Sequence, residues 1–103
     1  MNETFVSPKN GYRTYNTIEE LLEDYDAYEI MTIEGEQWNF TIAYSPRHDN
    51  VLLIKWSKKN PPLIRAPLAF RREDFYEFMR FMFGKYRKIR RRIEELRYGC
   101  EYE

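Results

Sequence analysis

Fifteen lysines and arginines crowd into residues 47–98 against six acids, while residues 1–46 hold two cations against nine acids. The two stretches therefore carry +9 and −7, and Glu101 and Glu103 bring the formal net charge to zero. Such a split points to a polyanion partner, unless the halves neutralise one another on folding. Aromatic residues make up 17% of the chain. Cations that follow phosphates and flat rings that stack on bases are the chemistry of single-stranded nucleic-acid binding, with stacking worth about 1–3 kcal/mol per base. The cations best spaced for it are Lys55, Lys58, Lys59 and Arg65, on consecutive strands and the turn that joins them. Arg71 and Arg72 open the final helix, where cations oppose the dipole, so a bound anion or the neighbouring Glu73 and Asp74 must offset them. Arg47 lies in a loop at the other end of the third strand, and Tyr12 and Tyr15 offer rings ahead of the first helix.

Catalytic chemistry finds little to work with. One histidine and one cysteine cannot assemble a conventional zinc site, and Cys100 has no partner for an intrachain disulfide. Glu34 and Glu36 flank Gly35, and His48 precedes Asp49, but both pairs read as solvated turns. The four glycines form no G-x-x-x-x-G-K-[ST], G-x-G-x-x-G or G-x-S-x-G pattern. The expectation is a protein that is not an enzyme and that needs neither cofactor nor metal.

These side chains must be positioned by a small fold. With 103 residues the chain fits one domain, spanning 1–103. Thr17 and Glu20 stand in capping-box spacing, and Ile18, Leu21, Leu22 and Tyr25 form one apolar stripe, so a helix is expected over 17–27, with 18–26 as its body. The sheet follows over 28–69. Trp38, Phe40, Ile42 and Tyr44 alternate with polar or small residues, Val51 to Trp56 forms the next strand, and Pro67 assigns the fourth, 63–69, to an edge. Phe75, Met79, Met82, Tyr86, Ile89, Ile93 and Leu96 recur at heptad spacing across Gly84, which predicts one long helix over 71–98. Beyond Gly84 the seam narrows to the width of a two-helix contact. Tyr86, Ile89, Ile93 and Leu96 are therefore expected to join two copies as a coiled-coil homodimer.

The predicted architecture is α+β: a four-stranded antiparallel meander, an N-terminal capped helix, and a long C-terminal helix packed on one sheet face. That face should gather Trp38, Phe40, Ile42, Tyr44, Leu52, Ile54, Trp56, Ile64 and Leu68 against Phe75, Phe78, Met79 and Met82. The other should present Asn39, Thr41, Val51, Leu53, Lys55, Leu63 and Arg65 as an open docking surface.

The order of elements over 37–83 resembles the β-β-β-β-α unit of PC4-like and PUR-type single-stranded nucleic-acid binders. Residues 49–56 (Asp-Asn-Val-Leu-Leu-Ile-Lys-Trp), Pro61-Pro62, and 72–78 (Arg-Glu-Asp-Phe-Tyr-Glu-Phe) leading into a charged helix also resemble the archaeal ThermoDBP group. That resemblance implies single-stranded DNA binding in a cleft of a small α+β domain and association through a C-terminal helix. The single Gln37 and the Arg/Glu-rich last helix suit a thermophile. The longest apolar run, Val51 to Ile54, falls far short of the roughly 20 residues a bilayer requires. With no basic and apolar leader, a cytoplasmic location is expected. The rival expectation is a protein-interaction or inhibitory module of a virus or mobile element, docking by its acidic helix or an apolar strand face.

Overall fold

Thr17 stops the extended arm and starts the first helix. Its hydroxyl accepts the Glu20 N–H at 3.1 Å, and the Glu20 carboxylate accepts the Asn16 N–H at 3.1 Å. Helix α1 (Ile18–Asp24) then ends sooner than the apolar stripe suggests. Asp26 sits at φ 53°, and the Ala27 N–H reaches back to the Leu22 carbonyl at 2.9 Å, closing a Schellman turn on an aspartate instead of a glycine. This computed structural model describes residues 5–11, 13–80 and 85–99. The remaining elements are β1 (Tyr28–Glu34), β2 (Trp38–Ser45), β3 (Asn50–Ser57), β4 (Leu68–Arg71), α2 (Arg72–Met79) and α3 (Lys85–Gly99). The strands form one antiparallel sheet in the order β1-β2-β3-β4, so the α+β meander is as expected. Among the described residues no helix is long and apolar enough to cross a membrane.

The register overturns the expected division of faces. The turn at 46–49 pairs Ser45 with Asn50, which sets even-numbered residues of β2 opposite odd-numbered residues of β3. Ile42 faces Leu53 and Tyr44 faces Val51 on one side, whereas Ala43 faces Leu52 and Thr41 faces Ile54 on the other. Leu52, Ile54 and Trp56 therefore do not share a face with Phe40, Ile42 and Tyr44. Both faces are apolar, and both are covered. Ile18, Leu21, Leu22 and Tyr25 of α1, with Val6 and Tyr15 of the arm, pack on Ala43, Leu52 and Ile54. Phe75, Tyr76, Ile89 and Ile93 pack on Ile42, Tyr44 and Val51. The result is three layers, with no wholly open sheet face.

The single long helix is also corrected. The Tyr76 hydroxyl donates to Glu94 at 2.6 Å, and Arg90 lies 4.8 Å from the centre of the Tyr76 ring. In one continuous helix, residues 76 and 94 would stand about 27 Å apart. The chain instead reverses, and α2 and α3 form a helical hairpin on the sheet; residues 81–84, including Met82 and Gly84, lie outside the described residues. The heptad seam is real, but its target is internal. Ile89 and Ile93 are 2% and 0% exposed, and the partly buried Tyr86 and Leu96 pack beside them, so these four side chains contribute to this chain's own core.

The fourth strand also lies later than predicted. Ile64 bridges Trp56 and the Arg65 N–H donates to the Lys55 carbonyl at 2.9 Å, but Pro67 interrupts the ladder and β4 resumes at Leu68.

A polar clamp fastens the hairpin to the sheet. Arg72 Nε donates to Asp49 Oδ1 at 2.8 Å, its other end approaches Glu94 at 3.6 Å, and Tyr44 donates to the same Asp49 oxygen at 2.5 Å. Burial is the largest single influence and would make the Arg72 guanidinium easier to deprotonate, but the hydrogen bond and charge of Asp49, together with Tyr76, outweigh it in sum and the net shift is upward. Burial and Asp49 likewise hold the Tyr44 hydroxyl protonated. Replacing Arg72 by Met is expected to destabilise the fold by about 2 kcal/mol, less than the about 3–5 of a fully buried pair because solvent still reaches Asp49; urea unfolding measures it.

Asp24 anchors the arm. Its carboxylate accepts from the Tyr15 hydroxyl at 2.7 Å, and from the Asn10 backbone and side chain at 3.1 and 2.8 Å. The Tyr15 hydrogen bond is the largest influence that holds its carboxyl below the ordinary range. A lowered folded-state value adds stability above the unfolded value of about 3.9, and that stability is lost as pH falls below it. Asp24→Asn should therefore flatten the decline in thermal stability below about pH 4, read from melting curves across pH.

Candidate functional site

The helical hairpin does not reach across all of its sheet face. Ladder pairing places Ile33, Phe40 and Lys55 in one row beyond it, with Leu68 beside Leu53 in the next. Ile33, Phe40, Leu68 and Phe78 are 46%, 39%, 58% and 48% exposed, a concentration of large apolar groups on one side of the molecule. Phe78 of α2 stacks on Phe70 of β4, with ring centres 6.0 Å apart and planes 13° apart, and so extends the surface across the sheet. Trp38, two residues before Phe40 and on the same face, is half-buried. Lys55 Nζ lies 4.5 Å from the centre of its ring and the Arg65 guanidinium 5.7 Å away. Two strands, β2 and β3, and the segment after the basic turn thus converge on one aromatic ring carrying two cations.

The layering also sorts the charge. The acids of α1 and Asp26 in the turn after it lie on the opposite face from the hairpin, and three of the early or loop cations answer Asp24 and Asp26 there. Lys9 approaches Asp26 at 3.2 Å, Arg47 approaches Asp26 at 3.4 Å, and Arg13 approaches Asp24 at 3.6 Å. On the hairpin side, Arg92 and Arg97 pair with Glu95 and Glu94 within α3. Among the described residues, Arg87, Lys88 and Arg91 are exposed and make no ion pair. Lys88, Arg91 and Arg92 edge a groove between α3 and β1 whose floor is Ile30, Met31 and Ile89.

The residues singled out in the sequence meet different fates. Lys55 and Arg65 come together on Trp38. Lys59 is exposed at the same end of the sheet, and Lys58 there approaches Glu34 at 3.9 Å. Arg71 is exposed at the far end of β4, beside the clamp. Arg72 is buried in that clamp, and Arg47 is turned to Asp26 on the α1 side. Tyr15 is 7% exposed and bonded to Asp24, so its ring offers no stacking surface. Tyr12 lies outside the described residues. Phe40 and Phe78 had the opposite expectation, as core, because alternation shows which residues share a face but not how far a covering helix extends.

Comparison with family models, curated protein sequences and solved structures finds no match to this chain.

Cation–π contacts at exposed sites are worth about 0.5–1 kcal/mol. Lys55→Gln and Arg65→Gln should each lower stability by no more than about 1 kcal/mol in urea unfolding and shift the Trp38 contribution to fluorescence, which leaves both as probes of binding.

Proposed function

We propose that the protein is a non-catalytic module that binds single-stranded DNA or RNA across the uncovered half of the hairpin-side sheet face. The observation that carries this reading is the cluster of Trp38, Phe40 and Phe78 with Lys55 and Arg65, on the side of the sheet away from the α1 acids. Bases would stack on Phe40 and Phe78, while phosphates meet Lys55, Arg65, Lys58 and Lys59; Arg87, Lys88 and Arg91 offer a further track along α3. The pattern-level resemblance to ThermoDBP-type domains supports the same reading. It calls for no cofactor, and it sets the protein in the cytoplasm, where single-stranded polyanions are available.

Anisotropy of a labelled oligonucleotide tests it. Four neutralised phosphates predict a slope of log K against log salt near −2.8, and recruitment of the α3 track steepens it to about −5. Lys55→Gln with Arg65→Gln should make the slope shallower by about 1.4. Phe40→Ala should weaken binding by about 5- to 150-fold, the loss of one stacked base. Absence of binding at low salt overturns the reading.

A second reading has its own observation. Leu63, Leu68 and Ile33 are exposed, aliphatic and without a π face, as in the apolar centre of a protein–protein interface. A protein captured after nuclease treatment, and released by Leu68→Glu but not by oligonucleotide, would favour an interaction or inhibitory module.

A further inference from the structure

β1 is the long edge of the sheet. It runs for seven residues, about 24 Å, against four residues for β4 at the other edge. The Gly35 N–H donates to the Trp38 carbonyl at 2.8 Å, and the ladder alternates from that bond, so the main-chain groups of Thr32 and Glu34 point away from β2. Among the described residues no other strand pairs with that edge. An open edge of this length is a template for a further strand. Glu29 and Glu34, opposite Ala43 and Asn39, lie on the α1 side of it, so β1 sets no carboxylate on the hairpin side.

On the hairpin side a groove follows this edge. A bulge shifts the register between Glu29 and Met31, so Ile30 and Met31 both pack toward the hairpin, where Ile89 of α3 completes an apolar floor. Lys88, Arg91 and Arg92 stand along the α3 rim, spaced three and four residues apart on one helix face. Arg92 is held by Glu95 on the same rim at 3.1 Å. Lys88 and Arg91 are exposed and, among the described residues, make no ion pair. The groove holds about 180 Å³, below the roughly 300–1,000 Å³ of small-molecule sites, which suits one side chain and not a ligand.

These features specify the occupant. The unpaired N–H and C=O groups ask for an extended main chain, the floor for an aliphatic side chain, and the rim cations for carboxylates. A nucleic-acid strand supplies neither the ladder nor the aliphatic group. Antiparallel pairing with β1 of a second copy would keep both α3 helices on one face of the joined sheet, crowding their cations at the joint. We infer that β1 accepts an extended acidic segment of another protein as a fifth strand, its aliphatic side chain on Ile30, Met31 and Ile89 and its carboxylates at Lys88 and Arg91. Strand alternation brings those side chains to the hairpin side at every second residue, with an acid on each side of the aliphatic group. The inference does not depend on strand binding around Trp38.

NMR titration of the isotope-labelled chain with the peptide Thr-Glu-Thr-Ile-Thr-Glu-Thr tests it. The Thr32 and Glu34 amides are expected to shift and to gain protection from exchange, while the peptide with lysine for glutamate leaves them unmoved. Lys88→Glu with Arg91→Glu, both exposed, should weaken the acidic peptide by about tenfold. N-methylating the peptide's inner threonines, which face Thr32 and Glu34 in the ladder, removes pairing without changing charge and should abolish binding. Retained binding of the methylated peptide reduces the contact to charge and overturns strand addition. Equal binding of the acidic and basic peptides, or no shift at Thr32 and Glu34, also overturns it. A shift of those amides with protein concentration alone gives the edge to a second copy, and a shift with a deoxythymidine decamer but not the peptide gives it to nucleic acid; either result removes the proposal.

Discussion

Strands β2 and β3 are apolar on both sides, and a sheet with two apolar faces must be covered twice. The pairing of Ile42 with Leu53, and of Ala43 with Leu52, makes this so, whereas a shift of one residue would gather Ile42, Tyr44, Leu52 and Ile54 on one face. One cover is α1 with the arm, and the other is the α2–α3 hairpin. The acids of α1 and the cations of α3 are thereby carried to opposite sides. The same constraint leaves a remainder. Helices of 8 and 15 residues span about 12 and 22 Å, and the row of Ile33, Phe40 and Lys55 lies beyond their cover.

Arg72 determines how the hairpin is seated. Its backbone N–H donates to the Asp49 carbonyl at 3.1 Å while its side chain holds the Asp49 carboxylate, so the first turn of α2 is tied twice to the β2–β3 turn. Asp49 itself is at φ 56°, a left-handed conformation that aspartate tolerates and that lets one residue meet Tyr44 and Arg72 together. A cation at a helix N-terminus, unfavourable beside the dipole, is satisfied here by protein carboxylates and needs no external anion. Four of the fifteen cations of residues 47–98 are absorbed in this way, Arg72, Arg92 and Arg97 by carboxylates of the same stretch and Arg47 by Asp26.

The fold was legible where a residue acts on its neighbours. Thr17 with Glu20 marks the start of α1, strict alternation marks β2, and Pro67 marks the fourth strand as an edge; all three are local. What was not legible depends on pairing at a distance. The four-residue turn at 46–49 decides which faces coincide, and a loop one residue longer would have produced the grouping expected from alternation alone. The seam through Met79, Tyr86, Ile89 and Ile93 keeps its phase across Gly84, yet periodicity is blind to whether the apolar stripe meets another chain or the chain's own sheet. The candidate surface was half visible. Lys55, Lys59 and Arg65 were readable from the basic turn, but Phe40 and Phe78 were not, because exposure depends on where the hairpin stops.

Charge separation across the sheet also explains how a chain of zero net charge and pI near 6.6 could hold a polyanion. Layers in such a fold are about 10 Å apart, so helices on opposite faces of one sheet are separated by about 20 Å. The Debye length at physiological salt is about 8 Å, less than half that distance. A phosphate near Lys55 and Arg65 is therefore governed by those cations, and the α1 carboxylates are largely screened from it. At lower ionic strength the screening length grows past the thickness of the sheet, and the far carboxylates begin to oppose the near cations. Over that range affinity should gain less from falling salt than counterion release alone would give, because the dipole across the three layers is felt whole.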